Sequence, residues 1–261
     1  MSFTQVGELR YYQFDSYRLP GLMHAVFTRR GGVSPTPWAS LNLGGLGGDL
    51  KENVVENRKR IFEAVGLPVD SIYDAWQVHG THIICTDKPR PLDEAHVKAD
   101  AILTNNPQVT LFMRFADCVP IFLYDPVRRV VGLAHAGWQG TVNKIAQKTI
   151  ERMAVEYGSH PGDILAAIGP SIGADHYEIG ADVADQVKAA FSEEASDFLE
   201  ERDSKIYFDL WRTNRVILEK AGIQQIQVAG LCTACHTEDW YSHRAEQGKT
   251  GRFGALIALK E

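Results

Sequence analysis

Apolar residues in this chain fall into two rhythms. Short runs with strand character occur at Leu22–Thr28, Ile72–Val78, His82–Thr86, Ala99–Thr104, Val109–Phe115, Val119–Tyr124, Val130–His135, Ile164–Ile168, Ile226–Ala229 and Phe253–Leu259. Helical spacing appears four times. From Asp49, a predicted cap, Val54, Ile61, Phe62 and Val65 share one face, and Gly66 then Pro68 end the helix. From Thr141, also a predicted cap, Val142, Ile145, Ala146, Thr149, Ile150 and Met153 form a second stripe. Helices are also predicted over Ala181–Phe191 and Leu210–Ala221. Many consecutive strands with helices before and after predict an α+β fold rather than a regular βαβ winding. The expected layout is a single domain over residues 1–261, with two mixed sheets packed as a sandwich and flanked by helices.

The most informative stretch is "FADCVPIFLYDPVRRVVGLAHAG", Phe115–Gly137. Asp125-Pro126 suits the start of a type I turn, and the negative φ of proline forbids a type I′ turn. A four-residue loop over Asp125–Arg128 places Tyr124 opposite Arg129 and Cys118 opposite His135. Directly opposed residues have Cβ atoms about 4.5–5.5 Å apart, close enough for a thiol–imidazole pair or two ligands of one metal. His79, in "WQVHGTH", follows a predicted strand and precedes a glycine that permits a sharp turn. One thiolate and two imidazoles form a catalytic zinc set with an open fourth position. Asp117 would then be an acceptor behind the ligands or a proton carrier. A plainer reading stays open at this stage: a small apolar Cys118 and a His135 that only satisfies backbone groups.

Other motifs carry less. "CTACH" at Cys232–His236 has the spacing of a haem-attachment site, but no export signal accompanies it; Cys232 and Cys235 would otherwise be half of a zinc site with no second CxxC. "GGLGG" at Gly44–Gly48 lacks the preceding strand of a dinucleotide cradle and reads as a loop. Arg29, Arg30, Arg244 and Arg252 lie in loops containing glycine or serine, where guanidinium forks could bind an oxyanion. His82 reads as a surface residue.

The chain has 261 residues, 44% hydrophobic, with a formal net charge of -6. An acidic balance argues against a nucleic-acid binder. The start of the chain lacks a secretory signal pattern, and no apolar run reaches membrane-spanning length. A cytoplasmic protein with reduced cysteines and no membrane partner is therefore expected. The assembly is left as monomer or homodimer.

In order along the chain, "FTRRGGVS" (Phe27–Ser34), "SLNLG" (Ser40–Gly44), "ENR" (Glu56–Arg58), "QVHG" (Gln77–Gly80), "ADCVPI" (Ala116–Ile121), "HAGW" (His135–Trp138), "IGPSIG" (Ile168–Gly173) and "GLCT" (Gly230–Thr233) resemble one family. It is the laccase-domain or multicopper polyphenol oxidase-like family, now described as purine nucleoside phosphorylase with adenosine deaminase activity. The resemblance covers nearly the whole chain. It implies a sandwich fold like that of toxin-type cysteine deamidases and zinc held by His79, Cys118 and His135, with copper possible in vitro. Cys118, His135 and Asp117 would be catalytic. Arg29, Asn42 and Arg244 would bind substrate or phosphate, with purine nucleosides and phosphate as partners. Three positions depart from the family pattern: Gln139 after "HAGW", then His243 and Ala245 in "SHRA".

Two other activities compete. A metal-free cysteine hydrolase or amidase would use Cys118 and His135, as peptidoglycan-precursor editing requires. A copper-dependent polyphenol oxidase could use the same ligands. A multicopper centre also needs repeated His-X-His pairs, and none of the nine histidines here forms one. A non-enzymatic binding protein would lose no catalysis on changing Cys118.

Overall fold

A computed structural model describes residues 2–45 and 47–260. Its first sheet runs in the order β1 (Ser2–Val6), β2 (Leu9–Gln13), β3 (Leu22–Phe27), β15 (Phe253–Leu259), β7 (Thr110–Phe115) and β4 (Ile72–Asp74). The second runs β14 (Gln225–Val228), β10 (Leu165–Ile168), β8 (Val119–Asp125), β9 (Val130–Ala136), β6 (Ala101–Thr104) and β5 (Ile83–Cys85). Both mix parallel and antiparallel pairs.

The two sheets bury one core between them. Leu111, Met113, Phe253, Ala255 and Ile257 from the first meet Ile102, Phe122, Tyr124, Val131 and Leu133 from the second. Each fully buried Leu, Ile, Val, Met or Phe among them stabilises the fold by roughly 1.5–3 kcal/mol. Alternate residues of β8 and β9, Ile121, Leu123, Val130 and Ala134, face the other way. There they pack against α3 (Ile145–Tyr157), α4 (Ala181–Phe191) and α5 (Leu210–Lys220). Helix α1 (Lys51–Val65) covers the outer face of the first sheet through Ile61, Phe62 and Val65. The layers are therefore helix, sheet, sheet, helices, as the expected α+β sandwich requires. Among the described residues no helix is long and apolar enough to cross a membrane.

Several local expectations need correction. Asp49 does not cap α1 as predicted. The helix starts at Lys51, and the Asp49 carboxylate instead accepts from Leu50 N, Ser34, Asn42 and Asn53. Gly66 does end the helix, in the left-handed conformation. Thr141 lies inside a short helix, α2 (Trp138–Val142), and its hydroxyl accepts from Asn214; Lys144, at φ 58°, breaks the chain before α3. The predicted strands Ile72–Val78 and His82–Thr86 shorten to β4 and β5.

The register of the β8–β9 hairpin differs by two residues. Asp125 remains in the ladder opposite Val130, so the loop is Pro126–Arg129 and His135 pairs with Pro120, not Cys118. Asp125 Oδ1 accepts from Val127 N and Arg128 N, and Arg129 closes the loop at φ 52°. A shift of two preserves the face of every side chain. Cys118 and His135 therefore still point the same way, into the layer between the sheets. A third sheet, β11 (Glu178–Ile179), β13 (Lys205–Phe208) and β12 (Leu199–Arg202), was not foreseen.

Candidate metal centre and its cavity

The site forms where the sandwich opens at one end. Chain leaving β7 turns at Asp117, whose φ of 78° is unusual for a non-glycine residue, and delivers Cys118 just before β8. His135 is the penultimate residue of β9. His79 comes from the loop between β4 and β5, also at positive φ, 60°. The ligating atoms of His79, Cys118 and His135 all lie within 4.8 Å of one another. The His79 and His135 ring centroids are 4.9 Å apart.

Asp100, just before β6, organises this cluster and was missed by the sequence reading. Its Oδ1 accepts from His79 N (3.0 Å) and meets His135 Nδ1 at 2.9 Å. Its Oδ2 accepts from Gly80 N (2.7 Å) and Val78 N (3.2 Å). One buried carboxylate thus holds the His79 loop and fixes the His135 ring with Nε2 toward the cluster. Burial works to raise the Asp100 pKa, but the His135 hydrogen bond and charge, with the backbone donors, hold it low.

Burial also pushes the Cys118 thiol up, yet the His135 charge and hydrogen bonds from His135 and His79 bring it down to about 6. His135 shows the reverse balance. Burial lowers it, while Cys118 and Asp100 lift it to about 9. Each group shifts the other: the His135 charge draws the Cys118 thiol down, and the Cys118 charge lifts His135.

The donor set fits a metal. It offers one thiolate sulfur and two imidazole nitrogens, with a carboxylate behind one imidazole, as metal-bound histidines commonly have. The cluster faces the cavity, so three protein donors leave a position open to substrate.

Gly137 lies close against two of the ligands. A Cβ there would fall 2.9 Å from Cys118 Sγ and 2.9 Å from His79 Nδ1. Its φ of -72° is one that alanine adopts freely. Gly137→Ala should therefore leave the fold unstrained while forcing two donor atoms apart. Metal affinity should fall at least about tenfold, measured by chelator competition, with the circular dichroism unchanged.

The cavity above the cluster measures about 770 Å³. Its lining includes Arg58, Arg114, Arg244 and Arg252, against Asp117 as the single carboxylate among the described lining residues. Behind Arg58 and Arg114 lies Asp74, fully buried. It pairs closely with Arg90 (2.7 Å) and His96 (2.9 Å), and more loosely with Arg58 (3.6 Å) and Arg114 (3.8 Å). Burial acts to raise Asp74, but His96 and these guanidiniums hold it well below the usual carboxylate range. One charge cannot neutralise three guanidiniums, so positive charge is left over at the cavity wall. Buried Arg58 Nε has no hydrogen-bond partner.

The predicted substrate residues are placed differently. Arg244 lines the cavity, donates to Glu178 O and lies over Tyr177. Asn42 lines it too, but its amide is taken up by Gly44, Asp49 and Arg252 N. Arg29 lies elsewhere, bound to Ala39 O, Thr237 O and Glu246. Both Asp117 oxygens accept, one from Thr233 Oγ1 and one from Arg244 N, each at 2.7 Å. Arg252 and His243 are in the wall; Gln139 is exposed on α2 outside it. His82 is exposed and bonded to Lys98 O. Of the Gly44–Gly48 loop, Gly44, Gly45 and Gly47 line the rim, and Leu46 lies outside the described residues.

Residues 23–260 match the family described as multi-copper polyphenol oxidoreductase laccase. The chain is 41% identical over 244 residues to the purine nucleoside phosphorylase of Deinococcus radiodurans, covering 93% of this chain and 92% of that protein. It is 34% identical over 233 residues to the purine nucleoside phosphorylase YfiH of Escherichia coli, covering 89% and 91%. The crystal structure of YlmD from Geobacillus stearothermophilus superposes with a TM-score of 0.92 at 33% identity over 99% of both chains. A Bacillus licheniformis hypothetical protein, YfiH, gives 0.91 at 34% identity, again over 99% of both. With the Cys118 cluster, the sandwich and this coverage in agreement, the chain belongs to the multi-copper polyphenol oxidoreductase laccase family, among the YfiH and YlmD proteins.

Proposed function

We propose that the protein is a zinc-dependent purine nucleoside phosphorylase that also deaminates adenosine. The observation that carries this reading is the surplus of guanidinium charge in the cavity wall directly above the thiolate–imidazole cluster. A protein of net charge -6 repels phosphate unless a local cation cluster reverses the field, and Arg58, Arg114, Arg244 and Arg252 supply one. The names of the relatives add the nucleoside.

In phosphorolysis a phosphate oxygen attacks ribose C1′ and the C1′–N9 bond breaks toward the purine, which leaves with the electron pair and takes up a proton. Arg58 and Arg114 hold the anion from the Asp74 side. Arg244, fixed by Glu178 O and the Tyr177 ring, closes on it from the opposite loop. Trp76, an exposed indole in the lining, offers an aromatic surface to the base. Asp117, with both oxygens accepting, positions the Arg244 backbone. Zinc bound by His79, Cys118 and His135 would supply Lewis acidity at the reacting centre and make water nucleophilic at neutral pH for attack on adenosine C6.

The test is chromatography of products from adenosine and inosine, with and without phosphate, on protein of known metal content. Phosphate-dependent release of hypoxanthine and ribose 1-phosphate from inosine is expected. Its absence from zinc-loaded protein sinks the reading. Arg244 is exposed, so Arg244→Lys keeps the fold and the charge but loses the two-point grip on phosphate. Inosine phosphorolysis should fall at least about tenfold, ~1.4 kcal/mol, and adenosine deamination less. Equal loss of both removes Arg244 from phosphate binding.

The amidase reading draws support from Cys118 beside His135, whose charge and hydrogen bond lower the thiol pKa, as a cysteine nucleophile requires. Metal content separates the two. Copper also suits one cysteine and two histidines, but the chain has no His-X-His pair to build a multicopper centre.

A further inference from the structure

A second group of ligating side chains lies outside the cavity. Asp175 and His176 sit in the connection between β10 and β11. Cys232 and Cys235 follow β14, 56 to 60 residues further on. One ligand atom from each of the four lies within 4.8 Å of all the others. The two thiols are free.

Four of the separations lie close to the edges of a coordination tetrahedron. With Zn–S of about 2.3 Å and Zn–N or Zn–O of about 2.0 Å, sulfur–nitrogen and sulfur–oxygen edges are about 3.5 Å and a nitrogen–oxygen edge about 3.3 Å. Cys235 Sγ lies 3.5 Å from His176 Nδ1 and 3.7 Å from Asp175 Oδ2. Cys232 Sγ is 3.9 Å from the same nitrogen, and His176 Nδ1 is 3.0 Å from Asp175 Oδ2. The backbone reinforces the geometry. Ser171 and Cys232 form an isolated parallel bridge, and Gly173 N donates to the buried Cys232 sulfur at 3.2 Å. Backbone N–H groups aimed at a ligating atom are the outer contacts that orient metal sites.

We propose that Asp175, His176, Cys232 and Cys235 form a second, closed site for a thiophilic divalent cation, zinc in the first instance. All four positions come from protein, the mark of a structural site. Its role follows from the neighbours of its ligands. His176 precedes Tyr177 and Glu178, on which Arg244 rests. Cys232 precedes Thr233, which donates to Asp117 beside Cys118. The cation clamps together the two loops that form one wall of the cavity.

The test counts metal and needs no substrate, so it stands or falls apart from the proposed activity. Intact protein carrying zinc should hold about two ions per chain. Cys118→Ala should hold about one, and so should Cys235→Ala and His176→Ala, both changes at exposed side chains. Cobalt loaded into Cys118→Ala should show the thiolate charge-transfer and visible bands of a tetrahedral two-sulfur site, and Cys235→Ala in that background should abolish them. Chelation should lower the melting temperature of Cys118→Ala. Wild-type protein holding about one ion, all lost in Cys118→Ala, overturns the proposal. So does a His176→Ala or Cys235→Ala protein that keeps both ions, or a disulfide between Cys232 and Cys235 in protein purified under reducing conditions.

Discussion

Cys118→Ala should remove about one metal equivalent and lower inosine phosphorolysis at least about a thousandfold, ~4 kcal/mol of transition-state stabilisation. Of the three side chains, only Cys118 can bring a negative charge to the metal. Without it two imidazoles remain, one of them on an exposed loop. The protein should still fold. Cys118 is partly exposed at the strand end, and alanine fills the same volume less one sulfur, so the circular dichroism should be unchanged. The measurement is paired: zinc by elemental analysis and rate by product chromatography. Rate lost with metal retained would make Cys118 a nucleophile rather than a ligand. Both retained would exclude it from the site.

How much of this was legible depended on sequence distance. The β8–β9 hairpin was legible because alternation and a proline-containing turn are local signals. The loop length was misjudged because the Asp125 carboxylate folds onto Val127 N and Arg128 N, keeping Asp125 in the ladder. The error was harmless to the site, since strands repeat every two residues. Asp100 was invisible for the opposite reason. In "KADAIL" it reads as a lone polar residue near the start of a predicted strand, and the β6–β9 pairing, Ala101 opposite Ala134, carries it to His135. Arg58 and Arg114 sit on a helix and a strand, where arginine reads as surface; a buried Asp74 gathers them. The charged hairpin "LEERDSKIYF" escaped notice because β12 is mostly polar, although Asp203 and Ser204, at φ 50° and 60°, make the type of turn hairpins favour. Cys232 and Cys235 read as half a metal site in the sequence. Their partners, Asp175 and His176, follow no spacing rule and meet them through the Ser171–Cys232 bridge and the Gly173 hydrogen bond to the Cys232 sulfur.

Asp100→Asn should be the most damaging change that touches no metal ligand. The carboxylate has four contacts, two on each oxygen, and every one can be an acceptance. Asparagine has one oxygen and one NH2. If its oxygen keeps His79 N and His135 Nδ1, the NH2 faces the N–H groups of Val78 and Gly80, donor against donor. If it flips, the clash moves to His79 N and His135 Nδ1, and the His135 ring is driven to the tautomer that removes its nitrogen lone pair from the cluster. The first orientation loses two of the four contacts; the second loses the His79 contact and turns His135 to the wrong tautomer, and each buried donor left unpaired costs roughly 1–3 kcal/mol. The His79 loop loosens or His135 turns, so metal affinity should fall about 10–100-fold, as expected when the outer partner of a metal-bound histidine is removed. Loss of the negative charge also makes His135 a weaker donor. Asp100→Ala, which leaves space for water, should weaken metal binding without the added clash, so it should be the less destabilised of the two. Chelator competition and thermal melts on both variants check this. Equal metal affinity in wild type and Asp100→Asn would show that His79 and His135 are held by something other than this carboxylate.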